Sequence, residues 1–137
     1  MVFLALPHGV AAEIARALLE RGLKVLDLSA DFRLSDPAVY EEFYGHPHPA
    51  PDLLAGAVYG LPEVYRNEIK SAQLIASPGC YPTSILLPLI PLLKAGLLAD
   101  SPLAVASMSG ASGAGRKERD VHGCTSAAGA GCAGAAA

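Results

Sequence analysis

The sequence predicts an α/β protein built on a parallel sheet, and three observations carry that expectation. The apolar runs Val2-Phe3-Leu4-Ala5-Leu6 and Lys24-Val25-Leu26-Asp27-Leu28-Ser29 are near-continuous rather than alternating, the pattern of strands covered on both faces. Between them, Ile14, Ala17, Leu18 and Arg21 recur at helical spacing. Strand, helix and strand in so short a stretch make a βαβ unit, which requires a right-handed crossover and parallel pairing. Finally, 52% hydrophobic and 17% charged residues in a chain of 137 describe a globular core and not a disordered segment. That length suits one ordinary domain but not a complete two-domain enzyme.

The elements follow in order. Val2 to Leu6 is the first strand, and Pro7-His8-Gly9 turns the chain. Ala11 to Arg21 is a helix stopped by Gly22, and Lys24 to Ser29 is the second strand. Ala30 to Gly60 reads as a long polar and aromatic loop, a length that usually signals function. Pro62 to Lys70 is a short helix and Gln73 to Ala76 the third strand. Tyr81 to Ala95 is a long helix whose first turn accepts Pro82, whereas Pro88 and Pro91 should kink it before Gly96 ends it. Ala104 to Met108 reads as another strand, leading into the glycine-rich Ser109-Gly110-Ala111-Ser112-Gly113-Ala114-Gly115-Arg116-Lys117. From Cys124 to Ala137 there are only Ala, Gly, Ser, Thr and Cys, which offer no aliphatic side chain larger than alanine to build a core. An opening inside a strand and a tail of this composition suggest an internal piece of a longer protein with a non-native or disordered end.

Several function classes are disfavoured. A net charge of −3 with no run of Lys or Arg gives no electrostatic footprint for nucleic acid. No apolar stretch reaches the roughly 18–20 residues of a membrane span, and the start has no basic region of a signal peptide. Three widely spaced cysteines make no disulfide framework, so a cytoplasmic setting is expected.

Ser77-Pro78-Gly79-Cys80-Tyr81-Pro82-Thr83-Ser84 is the most informative stretch. It joins a strand to a helix. Pro78-Gly79 supplies a turn in which glycine lets the backbone pass close to a ligand. Cys80 then stands at a helix N-terminus, where free N–H groups and the helix dipole favour the thiolate. That arrangement suits covalent catalysis on an acyl group, and a small buried cysteine at a strand–helix corner is the plain alternative.

Other candidates lie where open α/β sheets bind ligands, at the C-terminal ends of strands. Ser29 and Arg33 follow the second strand, and Arg33 either pairs with a carboxylate or phosphate of a substrate or tethers its loop through Asp31. Pro7, His8 and Gly9 occupy the same edge, with His8 either structural or beside a cofactor. The loop of Ser109, Gly110, Ser112, Gly113, Ala114 and Gly115 is either a phosphate cradle or a flexible connector, and it is no Walker A sequence. His46 and His48 have no acidic or cysteine partners nearby, and His122 with Cys124 and Cys132 lies in the low-complexity tail, so no metal is expected.

Taken together, Leu4-Ala5-Leu6-Pro7-His8-Gly9, Asp27-Leu28-Ser29-Ala30-Asp31-Phe32-Arg33-Leu34, Val58-Tyr59-Gly60-Leu61-Pro62-Glu63, Pro78-Gly79-Cys80-Tyr81-Pro82-Thr83 and Ser109 to Lys117 resemble the N-acetyl-gamma-glutamyl-phosphate reductase family, relatives of aspartate-semialdehyde dehydrogenase. The likeness runs in order from Val2 to Lys117. It implies a Rossmann-type domain for NADP, partial here over residues 1–100, joined to an α+β substrate and dimerisation domain whose start is 101–117, with 118–137 a low-complexity or non-native tail. It further implies that Cys80 takes the acyl group of N-acetyl-glutamyl 5-phosphate, that phosphate leaves, and that hydride from NADPH converts the thioester to the 5-semialdehyde of arginine biosynthesis. The Ser109–Arg116 loop would then lie beside the cofactor, and the full-length protein would be a homo-oligomer acting on a small acyl phosphate.

The family's opening strand and glycine loop do not appear before Val2. None of His8, His46, His48 or His122 matches its catalytic histidine. Full activity is therefore not expected of the chain by itself. Two other readings stand beside this one: the reductase of N-acetyl-aminoadipyl phosphate in lysine biosynthesis, and a non-catalytic α/β binding or assembly module.

Overall fold

The computed structural model describes residues 1–7, 9–98 and 103–107, and the backbone of 108–109 and 132–133. It forms two compact units, Met1–Pro88 and Leu89–Ala137. In the first, four short strands, β1 (Val2–Leu4), β2 (Val25–Asp27), β3 (Ala57–Tyr59) and β4 (Leu74–Ala76), make one sheet in the order β1-β2-β4-β3. Every pairing is parallel. The registers align Leu4, Asp27, Ala76 and Tyr59 in one row, so all four strands end along the same edge. The ladder runs one step further, through Leu28 N–H to Leu4 O (2.9 Å), Ser77 N–H to Asp27 O (2.8 Å) and Gly60 N–H to Ala76 O (2.7 Å). Each exit loop thus leaves the sheet from a fixed point.

Helix α1 (Val10–Glu20) crosses from β1 to β2. Its inner face is Ala11, Ala12 and Ala15, all fully buried. Side chains that small let the helix settle close onto Leu4, Val25, Leu74 and Ala76, the centre of the core. Because strand side chains alternate in direction, Phe3 points to the other face, where it is 59% exposed.

The stretch from Ala30 to Gly60 departs from the expected loop. It contains α2 (Pro37–Tyr44), α3 (Pro51–Leu54) and the strand β3 itself. Asp36 caps α2 by accepting a hydrogen bond from Ala38 N–H at 2.8 Å, and Pro37 takes the first helical position. Pro51 starts α3 in the same way. These cues are short, and β3 is only three residues, so the polar and aromatic character of the stretch hides them. Phe32, Ala50 and Leu54 join the core from this region.

Helix α4 (Pro62–Ser71) leads to β4. The Lys24 ammonium donates to Ile69 O (3.0 Å) and Lys70 O (3.1 Å), satisfying two carbonyls at the end of α4. Helix α5 runs from Cys80 to Lys94 as one element, through Pro88 and Pro91. In the second unit, the strand expected over 104–108 is reduced to β5 (Met108–Ser109), which pairs antiparallel with β6 (Cys132–Ala133), inside the tail expected to carry no structure. Among the described residues no helix is long and apolar enough to cross a membrane.

Candidate active site

The carboxyl edge of the sheet collects Gly9, Ser29, Arg33 and Cys80 from the residues singled out in the sequence. After β1 comes the turn to Gly9. After β2 come Asp27, Ser29, Asp31 and Arg33. After β4 comes the turn to Cys80, and after β3 comes Gly60. His8 and residues 110–117 lie outside the described residues, and only the backbone of Ser109 is described.

Two buried carboxylates organise this edge. Asp27 accepts from Ser29 N–H (3.0 Å) and Ser29 Oγ (2.6 Å), and Ser29 Oγ in turn accepts from Asp31 N–H (3.1 Å). Burial pushes the Asp27 carboxyl up, against the two Ser29 hydrogen bonds that pull it down. The Ser29 hydroxyl is therefore occupied on both sides within its own loop. Asp31, fully buried, reaches back to the start of α1 and accepts from Gly9 N–H (2.8 and 3.0 Å to its two oxygens) and Ala12 N–H (3.1 Å). Gly9 has φ of 84°, a left-handed conformation that glycine adopts without strain, and this aims its N–H at the carboxylate. A carboxylate thus fills the anion site that a helix N-terminus offers.

Behind Asp31 stands an aromatic wall. Tyr40 is fully buried with its hydroxyl 3.4 Å from Asp31 Oδ1. Burial, reinforced by the Asp31 charge, pushes the Tyr40 hydroxyl up to about 12. His48 packs edge-on against Tyr40 and Phe32. A backbone N–H can only donate, so the 2.9 Å contact from Ala50 N–H makes His48 Nδ1 an acceptor, and Nε2 then donates to Asp31 O at 2.8 Å. His46 also meets Tyr40 edge-on, with its Nδ1 3.1 Å from Pro47 O. Among the described residues, no three His, Cys, Asp or Glu side chains gather as a metal site would need.

Cys80 is the first residue of α5, with an exposed, free thiol. The corner is fixed by Gly79 O, which accepts from both Thr83 N–H (3.0 Å) and Thr83 Oγ1 (2.8 Å). N–H groups in the first turn of a helix have no acceptor within it, so those of Cys80 and Tyr81 remain for other partners. The exposure of the thiol rules out the alternative of a small buried cysteine. Arg33 is half-buried and donates from Nε to Ser77 O (2.8 Å) and from Nη2 to Leu28 O (3.1 Å). The tether of the Asp31 loop therefore runs from Arg33 to the neighbouring strand exit, while the Asp31 carboxylate serves α1. Tyr59 closes the row, its hydroxyl pushed up by burial and partly relieved by the Arg33 charge.

A nicotinamide dinucleotide fits only part of this edge. Its pyrophosphate needs a free helix N-terminus, and at α1 a phosphate would meet the Asp31 carboxylate. The turn of Pro7 and Gly9 and the start of α5 remain as surfaces for the other end of such a molecule. Asp27 and Asp31 are structural anchors of this edge, and the bonds of Asp31 to the start of α1 are what sequence reasoning did not find. Their signal is an acidic residue at a strand end, followed by Ser and a second Asp.

Residues 1–72 match the family model described as semialdehyde dehydrogenase, NAD binding domain. The chain belongs to the semialdehyde dehydrogenase family. Residues 80–131 match its companion, the semialdehyde dehydrogenase dimerisation domain. Among curated relatives, the N-acetyl-gamma-glutamyl-phosphate reductase of Akkermansia muciniphila is 64% identical over 117 residues, covering 85% of this chain and 34% of that protein. The protein of the same name from Halorhodospira halophila is 58% identical, again over 85% of this chain and 34% of its own length. A probable chloroplastic N-acetyl-gamma-glutamyl-phosphate reductase of Oryza sativa is 55% identical over 88% of this chain and 29% of its own. The chain thus spans about a third of the length of these relatives.

Proposed function

We propose that this chain is the nucleophile-bearing part of an NADPH-dependent N-acetyl-gamma-glutamyl-phosphate reductase, with Cys80 as the attacking group. The observation that carries the reading is the exposed thiol at the first position of α5, on the carboxyl edge of a parallel sheet whose sequence belongs to a NAD-binding family.

In this reading the Cys80 thiolate attacks the acyl carbon of N-acetyl-glutamyl 5-phosphate, and the carbon–oxygen bond to phosphate breaks. Inorganic phosphate leaves and a thioester remains. A bound NADPH would supply hydride to the thioester carbon; the part left to this chain is that the Cys80 sulfur keeps the electron pair of the carbon–sulfur bond and departs as thiolate, freeing the 5-semialdehyde. One sulfur serves as nucleophile and as leaving group, which is why cysteine suits both halves. First-turn N–H groups of α5 favour the negative charge that develops on sulfur and on the carbonyl oxygen. Arg33 retains guanidinium N–H groups beyond the two in use and faces the substrate phosphate, while Ser29 shapes the loop that carries it. Pro7, His8, Gly9 and the loop of Ser109, Gly110, Ser112, Gly113, Ala114 and Gly115 take the cofactor side.

The wider reading divides the chain into a partial NADP domain over 1–100, the start of the substrate domain over 101–117 and a low-complexity remainder. The match to a dimerisation model supports assembly with a second copy, and a cytoplasmic setting is part of the proposal. The test is kinetic. In a full-length enzyme carrying this segment, Cys80→Ser abolishes phosphate-dependent oxidation of the semialdehyde and leaves NADPH binding largely unchanged. Retained turnover rules out the thioester route.

A further inference from the structure

We propose that Arg33 is a positioning residue for Cys80, tying the exit of β2 to the turn that starts α5. The inference rests on the reading of Cys80 as the nucleophile. Its basis is a single planar group that spans two strand exits. Nε holds Ser77 O at 2.8 Å, three residues before Cys80, and Nη2 holds Leu28 O at 3.1 Å, one residue past β2. A third nitrogen lies close against the residue next to the thiol. A Cβ on Gly79 would lie 3.2 Å from Arg33 Nη1 and 3.4 Å from Pro82 Cδ. Gly79 is not among the glycines with positive φ, so what glycine supplies here is room for the guanidinium rather than an unusual backbone conformation.

Arg33 is itself held. Its own N–H donates to Ala30 O at 3.4 Å, the preceding Phe32 is buried in the core, and Asp31 is fastened to the start of α1. Constraint therefore passes from α1 through Asp31 and Arg33 to Gly79 and Cys80. Lysine cannot reproduce this, because an ammonium lacks the fixed fork that reaches two carbonyls at once.

The experiment compares the chain with its Arg33→Ala and Arg33→Lys variants, all without substrate. Amide hydrogen exchange is read residue by residue, together with the rate at which iodoacetamide alkylates Cys80. In Arg33→Ala the Thr83 amide, bonded to Gly79 O, exchanges about tenfold faster, while the Val25 amide, bonded to Gln73 O in the sheet, keeps its rate. Alkylation of Cys80 slows by roughly fivefold in Arg33→Ala, because the loosened turn no longer holds the thiol at the first position of α5. Millimolar ethylguanidinium restores it, and Arg33→Lys lies between the two.

Unchanged Thr83 exchange and alkylation in Arg33→Ala would overturn the proposal and leave Arg33 to act on a ligand alone. Equal acceleration at Val25 would overturn it too, because the role would then belong to the whole fold. None of these readouts needs turnover. If Cys80→Ser retains activity, the nucleophile reading fails while the exchange data still decide what Arg33 holds.

Discussion

At the scale of single residues, the carboxyl edge is governed by polar groups placed out of water and then satisfied. Asp31 receives two backbone N–H groups of α1 and the Tyr40 hydroxyl, and its own carbonyl receives His48. Such groups are costly only when unpaired, and among the described residues no buried side-chain polar atom lacks a partner. Tyr40 makes this measurable. Its ionisation is raised from about 10 to about 12, so its contribution to stability is present below pH 10 and is lost as pH rises toward 12. Ultraviolet titration should show one of the five tyrosines ionising near 12, and Tyr40→Phe should remove that step and flatten the alkaline loss of stability. Ionisation of every tyrosine near pH 10 in the folded protein would contradict this. The placement of Cys80 and Arg33 at strand exits was legible in the sequence because each follows an apolar, strand-like run. The carboxylate work of Asp27 and Asp31 was not, since it depends on contacts made across the fold, from Asp31 back to Gly9.

At the scale of elements, local pattern carried far where an element was long or strictly apolar. Helices α1, α4 and α5 and strands β1, β2 and β4 stand within a few residues of their expected limits. Strand β3 was hidden because Ala57-Val58-Tyr59 is too short for a period, and only its pairing to β4 defines it. Gly60 shows why the exit of β3 is narrow. A Cβ there would lie 2.9 Å from Ala76 O and 3.1 Å from Ile75 Cγ2, both in the adjoining strand. Gly60→Ala is therefore expected to cost about 1–3 kcal/mol, seen as a lower urea midpoint with an unchanged slope. An unaltered midpoint would mean that the two strands do not approach as described.

At the scale of the molecule, the sheet edge presents an exposed thiol, and the electrostatics at α1 set a limit on what the edge binds. Because Asp31 neutralises the α1 N-terminus, calorimetric titration with NADPH should show weak binding or none. Low-micromolar affinity would mean that other residues cradle the pyrophosphate. The acyl-transfer half of the chemistry asks for less, only the thiol and its corner. The measurement closest to the central claim is mass spectrometry after exposure to N-acetyl-glutamyl 5-phosphate without NADPH. The account predicts one acyl group on the peptide holding Cys80, removed by hydroxylamine as a thioester is, and absent in Cys80→Ser. An unmodified Cys80, or acylation of Cys124 or Cys132 to the same extent, would contradict it.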